Sequence, residues 1–127
     1  MAQYKIMIVD DDKDVNYILQ AVMEQAGFQI VSYFNAESAL KKIKEENPDL
    51  ILLDVMMPGM SGYEACDRIK TDPDTAGIPV IMLTAKDMGD DKEAVIRKKA
   101  DSFIVKPFDS DGLIKRINKL ISKKCGG

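Results

Sequence analysis

Five short, nearly unbroken apolar runs recur along this chain: YKIMIV over 4–9, FQIVSYF over 28–34, DLILL over 49–53, IPVIML over 78–83 and SFIV over 102–105. A strand with one wet face alternates apolar and polar residues, so a strand apolar at nearly every position needs both faces covered. Parallel strands between two helical layers meet that need, because the crossover helices supply the cover. The intervening segments have helical spacing. Over 14–26, Val15, Ile18, Leu19, Val22 and Ala26 share a face, with Gly27 as a stop. Over 36–46, Ala36, Ala39, Leu40 and Ile43 repeat the pattern behind an N-cap at Asn35. A third helix is expected over 62–71 behind Ser61, and a weaker fourth over 89–99. A fifth is expected over 110–123, started by Ser110 or Asp109, with Leu113, Ile114, Ile117, Leu120 and Ile121 in one stripe.

Strands alternating with helices predict one doubly wound α/β domain with right-handed crossovers. It spans residues 1–124, and residues 125–127 read as a frayed tail or an expression remnant. In this architecture ligands bind beyond the carboxyl ends of the strands, where strand order reverses. The residues at those ends are therefore the candidates. They are Asp10, Asp11 and Asp12 after the first run, Asp54 after the third, Thr84 after the fourth and Lys106 after the fifth. Each has an ordinary alternative: acids and hydroxyls cap helices, and lysines are usually solvated. One rim position after another makes joint coincidence the weaker reading.

Carboxylates crowded together repel, and a divalent cation relieves them. Oxygen donors without imidazole or thiolate select Mg²⁺ or Mn²⁺. Such a cation retains waters and accepts phosphate oxygens, so the pocket suits a phosphoryl group held between metal and Lys106. Asp54 is the natural covalent acceptor, and Thr84 would hydrogen-bond the attached group. Ala85 leaves room for the donor. The turn MMPGMSG after Asp54 would carry the Met56 carbonyl to the metal, with Gly59 and Gly62 permitting a tight path and Pro58 stiffening it.

The remaining composition narrows the function. The chain has 127 residues, no histidine, two cysteines without metal-like spacing and a net charge of −3. This speaks against a nucleic-acid binder acting through this chain and against a histidine-based catalyst. The two cysteines could be paired in a secreted protein, but free thiols in a reducing cytoplasm are the favoured reading. No apolar run approaches the ~18 residues of a membrane span, and the N-terminus turns acidic too soon for a signal peptide.

IMIVDDD, LLDVMMPGMSG, MLTA and ADSFIVKPF together resemble the receiver domain of two-component response regulators, the CheY-like family, over residues 4–123. The resemblance implies a flavodoxin-like (βα)₅ three-layer sandwich whose parallel five-stranded sheet has order 2-1-3-4-5. It implies phosphorylation of Asp54 by a sensor histidine kinase or histidine phosphotransfer protein. Asp11, Asp54 and the Met56 carbonyl would bind Mg²⁺ directly, with Asp10 acting through metal-bound water. Thr84 and Phe103 would form a switch pair, Lys106 would bind the phosphate, and the Lys106–Pro107 bond would be cis. Met56 and Lys86 would tune the lifetime of the acyl phosphate. Lys99 departs from the glycine usual before the AD of the fifth-strand motif.

The expected role is a signalling switch rather than an enzyme. Its output partner is unidentified, and it would be a monomer or a phosphorylation-dependent dimer through the fourth helix, fifth strand and fifth helix. Basic residues crowd that region: Arg97, Lys98 and Lys99, then Lys115, Arg116, Lys119, Lys123 and Lys124. They read as a solvated face or as a docking surface for an acidic partner. No output segment follows residue 123, which suits a stand-alone receiver or a part of a longer regulator. Two rivals use the same residues. A Mg²⁺-dependent phosphatase with an aspartyl nucleophile needs a second aspartate where this chain has Met56. A phosphorylation-independent scaffold would not need the full set.

Overall fold

The computed structural model describes residues 3–85 and 100–126. Within them the chain runs β1 (Lys5–Val9), α1 (Lys13–Gln25), β2 (Gln29–Tyr33), α2 (Ala36–Glu46), β3 (Leu50–Asp54), α3 (Gly62–Thr71), β4 (Val80–Ala85), β5 (Ser102–Lys106) and α4 (Ser110–Gly126). The helix expected over 89–99 lies outside the described residues, as do Lys86, Arg97, Lys98 and Lys99. The fifth expected helix is therefore α4 here, and it extends past residue 123 into the tail.

All strand pairs are parallel, and the sheet order is β2-β1-β3-β4-β5. The apolar runs divide by pleat, since successive side chains point to opposite faces. Met7, Val9, Ile51, Leu53, Val80 and Met82 pack with Ala36, Ala39 and Ile43 of α2 and Ala65, Cys66 and Ile69 of α3. Ile6, Ile8, Leu50, Leu52, Ile81 and Leu83 pack with Leu19 and Met23 of α1 and Leu113, Ile117 and Ile121 of α4. Two cores on one sheet make three layers, the flavodoxin-like arrangement. The chain moves one way across the sheet through α1 and the other way through α2 and α3 on the opposite face, as a single crossover hand requires.

Local chemistry sets the boundaries. Asn35 Oδ1 accepts from Ser38 N, and Ser61 Oγ accepts from Glu64 N. Asp109 rather than Ser110 caps α4, its Oδ2 accepting from Gly112 N. Gly27 after α1 takes φ 94°, the left-handed stop expected of it. Two expectations shift. β4 begins at Val80 rather than Ile78, because Ile78 N donates to Thr75 O in the turn closing α3. On α1 the buried side chains are Asn16, Leu19 and Met23, while Ile18 is 55% exposed. The amphipathic stripe is rotated because the helix buries a polar residue that a hydrophobicity pattern assigns to solvent.

Candidate functional site

β1 and β3 are neighbours in register, Val9 beside Leu53, so the next residue of each, Asp10 and Asp54, emerges side by side. Strand order reverses here, and the crevice beyond the carboxyl ends opens over both. Asp10 is fully buried and Asp54 is 6% exposed. Asp11 completes the group: one carboxylate oxygen each from Asp10, Asp11 and Asp54 lies within 4.8 Å of the others. Lys106, the last residue of β5, reaches across β4. Its ammonium donates to Asp54 Oδ1 at 2.8 Å and to Asp10 Oδ2 at 3.0 Å. Residues from three separated segments, after β1, at the end of β3 and at the end of β5, thus meet around one crevice.

Its electrostatics are unbalanced. Burial pushes the Asp54 carboxyl up from an ordinary 3.8 to about 6, and the charges of Asp10 and Asp11 push the same way against the Lys106 ammonium. Burial alone would lower the pKa of Lys106, but its hydrogen bonds to Asp54 and Asp10 and their charges outweigh that, and it rises. Three carboxylates against one ammonium leave an excess of negative charge. The donors are hard oxygens closely spaced, the chemistry of a Mg²⁺ or Mn²⁺ site, so the residues fit such an ion.

Thr84 stands on β4 one position beyond Leu83, which pairs with Asp54. It is 1% exposed, and among the described residues its hydroxyl has no hydrogen-bond partner. Buried polar groups without partners are uncommon and call for a reason. Phe103 pairs with Met82 while Thr84 pairs with Val105. Phe103 and Thr84 therefore share the face toward α2 and α3, and the pleat assigns Asp54 and Lys106 to the other. Phe103 is half-buried against the core of that face. Met56, two residues past Asp54, has a 64% exposed residue surface. The Lys106–Pro107 bond is cis. Asp12 takes the capping role, its Oδ1 accepting from Asp14 N and Val15 N.

The turn after Asp54 is built around its glycines. Gly59 has φ 77°, a conformation costly for other residues. A Cβ on Gly62 would sit 2.1 Å from the Asp54 carbonyl oxygen, so only glycine lets α3 start so close to the strand end. Gly62 N donates to Val55 O at 2.9 Å and Val55 N to Leu83 O at 3.0 Å, which pins the turn to the sheet.

Beside the acidic crevice, a buried polar residue escaped the sequence reading. Asn16 Nδ2 donates to Asp10 O at 3.0 Å and to Tyr33 O at 3.1 Å. Asn16 lies off the apolar stripe that the sequence pattern gives for this helix, so the pattern carried no signal for it.

The comparisons with known proteins agree on one family. The model of the response regulator receiver domain matches residues 6–118. The chain is 36% identical to protein PilH of Pseudomonas aeruginosa over 118 residues, covering 93% of this chain and 98% of PilH. It is 39% identical over 122 residues to the phosphate regulon transcriptional regulatory protein PhoB of the same organism, covering 96% of this chain but 53% of PhoB. A putative response regulator from Chloroflexus aurantiacus superposes with a TM-score of 0.89 at 32% identity, covering 95% of this chain and 99% of the other. The chain thus spans nearly all of one relative and about half of another.

Proposed function

Because this chain belongs to the response regulator receiver domain family, we propose that it is a phosphorylation-controlled switch whose acceptor is Asp54. The donor is the phosphohistidine of a sensor kinase or of a phosphotransfer protein. An Asp54 carboxylate oxygen attacks phosphorus in line with the N–P bond. The O–P bond forms as the N–P bond breaks, and the electron pair returns to the imidazole, which takes a proton from water. The transition state is loose, with charge spread over the three equatorial oxygens. Lys106, whose ammonium is 2.8 Å from Asp54 Oδ1, would neutralise one of them. The unpartnered Thr84 hydroxyl gives a donor for another. Asp11, Asp54 and the Met56 carbonyl would hold Mg²⁺ or Mn²⁺, with Asp10 through water, and the bound cation supplies further charge neutralisation. Attack of water on the acyl phosphate would restore the carboxylate, at a rate tuned by Met56 and Lys86.

The conformational reading follows. Thr84 shifts toward the new phosphoryl group, and Phe103, on the same face, enters the space it leaves. Reversing a 1:99 equilibrium requires about 5.5 kcal/mol of differential binding, the order that several charge-assisted hydrogen bonds reach together. The altered surface around β5 and the following helix is read by an output protein or a second copy of the chain rather than by nucleic acid. The cytoplasm is where a kinase would meet it. Among the described residues no helix is long and apolar enough to cross a membrane.

The observation that carries this reading is the convergence of Asp10, Asp11 and Asp54 within 4.8 Å, with Lys106 bound to the acceptor. Incubation with acetyl phosphate and MgCl₂ should add about 80 Da to the intact mass, a species absent in Asp54→Asn and with EDTA. An unchanged wild-type mass refutes the proposal. An aspartyl phosphatase is disfavoured by exposed Met56 standing where a second acid is needed.

A further inference from the structure

Asn16 holds none of the roles assigned above, yet it is a fully buried polar side chain one helical turn from the acidic crevice. Its amide nitrogen donates to the carbonyl of Asp10, the first residue beyond β1, and to that of Tyr33, the last residue of β2. Its amide oxygen accepts from Gln20 Nε2 at 2.8 Å. Two donors and an acceptor are thereby engaged, so the carboxamide has one satisfactory orientation. The Tyr33 carbonyl also accepts from Asp10 N at 3.1 Å. One side chain therefore ties the two strand ends together at the point where β1 releases into Asp10–Asp12.

The peptide group is planar. A hydrogen bond that fixes the Asp10 carbonyl therefore fixes the N–H and Cα of Asp11 as well. Rotation of that plane would re-aim the carboxylates on both sides of it. On the Asp10 side a second restraint is present, Asp12 N donating to Asp10 Oδ1 at 2.9 Å. On the Asp11 side, among the described residues, Asn16 is the side chain that acts on the plane.

We propose that Asn16 is a positioning residue for the divalent-cation site, holding the Asp10–Asp11 peptide so that both carboxylates converge on Asp54. The proposal rests on the reading that these carboxylates hold a cation. Groups that orient metal ligands commonly change affinity by about 10–100-fold when removed.

The test is calorimetric titration of the full chain with MgCl₂, at a temperature where circular dichroism shows each variant folded. Asn16→Ala should weaken Mg²⁺ binding by about tenfold or more. Gln20→Ala, which frees the amide to turn, should weaken it less. Thr75→Val supplies the structural control. Thr75 Oγ1 donates to Ile69 O at 2.7 Å in a buried site at the end of α3, so its loss should lower stability and leave Mg²⁺ affinity intact. Wild-type affinity in Asn16→Ala overturns the proposal, and so does an equal loss in Thr75→Val. Should Asn16→Ala not fold, unchanged affinity in Gln20→Ala overturns it. Wild-type protein that binds no Mg²⁺ removes the underlying reading and this inference with it.

Discussion

Asp54 carries a charge that its own surroundings disfavour. Its folded pKa of about 6 lies above the ordinary 3.8, so the folded state binds this proton more tightly than the unfolded chain. Above pH 6 both states are ionised and the folded one bears a penalty of about 3 kcal/mol. Below about pH 4 both are protonated and the penalty is gone. Asp54→Asn in EDTA should therefore be more stable than wild type by about 1–3 kcal/mol near pH 7.5, with the gain vanishing toward pH 4. Urea unfolding at several pH values measures this, and a gain independent of pH would contradict it. Lys106→Ala has the opposite sign. It strips the ammonium from two carboxylates whose side chains are 0% and 8% exposed, and in EDTA should cost about 2–4 kcal/mol at neutral pH. Added MgCl₂ should restore part of that loss if the cation takes over the neutralising role. These residues were legible beforehand because each ends an apolar run, where pattern and chemistry coincide. Asn16 was not, because its partners are carbonyls of distant strand ends. No periodicity in α1 reveals what a helix will be packed against, and the same blindness put Ile18 on the buried face.

Between β3 and α3 the constraint belongs to the connection. The helix must begin against the strand end, and a Cβ at Gly62 would meet Asp54 O at 2.1 Å, Val55 Cα at 2.8 Å and the Asp54 carbonyl carbon at 2.9 Å. All three are backbone atoms, which cannot swing aside as a side chain can. Gly62→Ala should therefore cost about 3 kcal/mol or more and slow phosphorylation of Asp54, whose own peptide would have to move. Gly77→Ala is the contrast: nothing lies within 4 Å of its Cβ, and it should fold like wild type and leave the proposed phosphorylation of Asp54 unchanged. Chemical denaturation with phosphorylation rates distinguishes the two, and equal tolerance at both positions would contradict the close-approach argument. At this scale the sequence located the strands, β2 within a residue at each end, because unbroken apolar runs are a strong signal. It misplaced the start of β4, because Ile78 and Pro79 look like strand residues while the backbone of Ile78 is engaged in the preceding turn. The need for glycine at 59 and 62 was readable from the turn. Which of the two met backbone and which took a positive φ was not.

Across the molecule, two cores clamp a single sheet, and three carboxylates gather with one ammonium at one edge of it. That arrangement would couple the proposed cation binding to folding and to pH. A cation that binds only the folded state stabilises it by RT ln(1 + [L]/Kd), and carboxylate ligands must be deprotonated to bind. Near pH 5, one unit below the Asp54 value of about 6, roughly nine-tenths of Asp54 is protonated in the metal-free fold. The proton and the cation then compete, and apparent Mg²⁺ affinity should fall about tenfold between pH 7.5 and pH 5. The slopes consequently have opposite signs. Without metal, the Asp54 contribution to stability grows as pH falls through 6. At saturating Mg²⁺ the folded pKa is depressed, so the stability contributed by the ion is present at neutral pH and is lost on acidification. Urea midpoints of wild type minus those of Asp54→Asn, with EDTA or about 10 mM MgCl₂, isolate this contribution from other titrating groups. The difference should change sign of slope between the two conditions. Parallel slopes would mean that Mg²⁺ does not bind through Asp54, and the Asp54 carboxylate would then have to be neutralised by Lys106 alone.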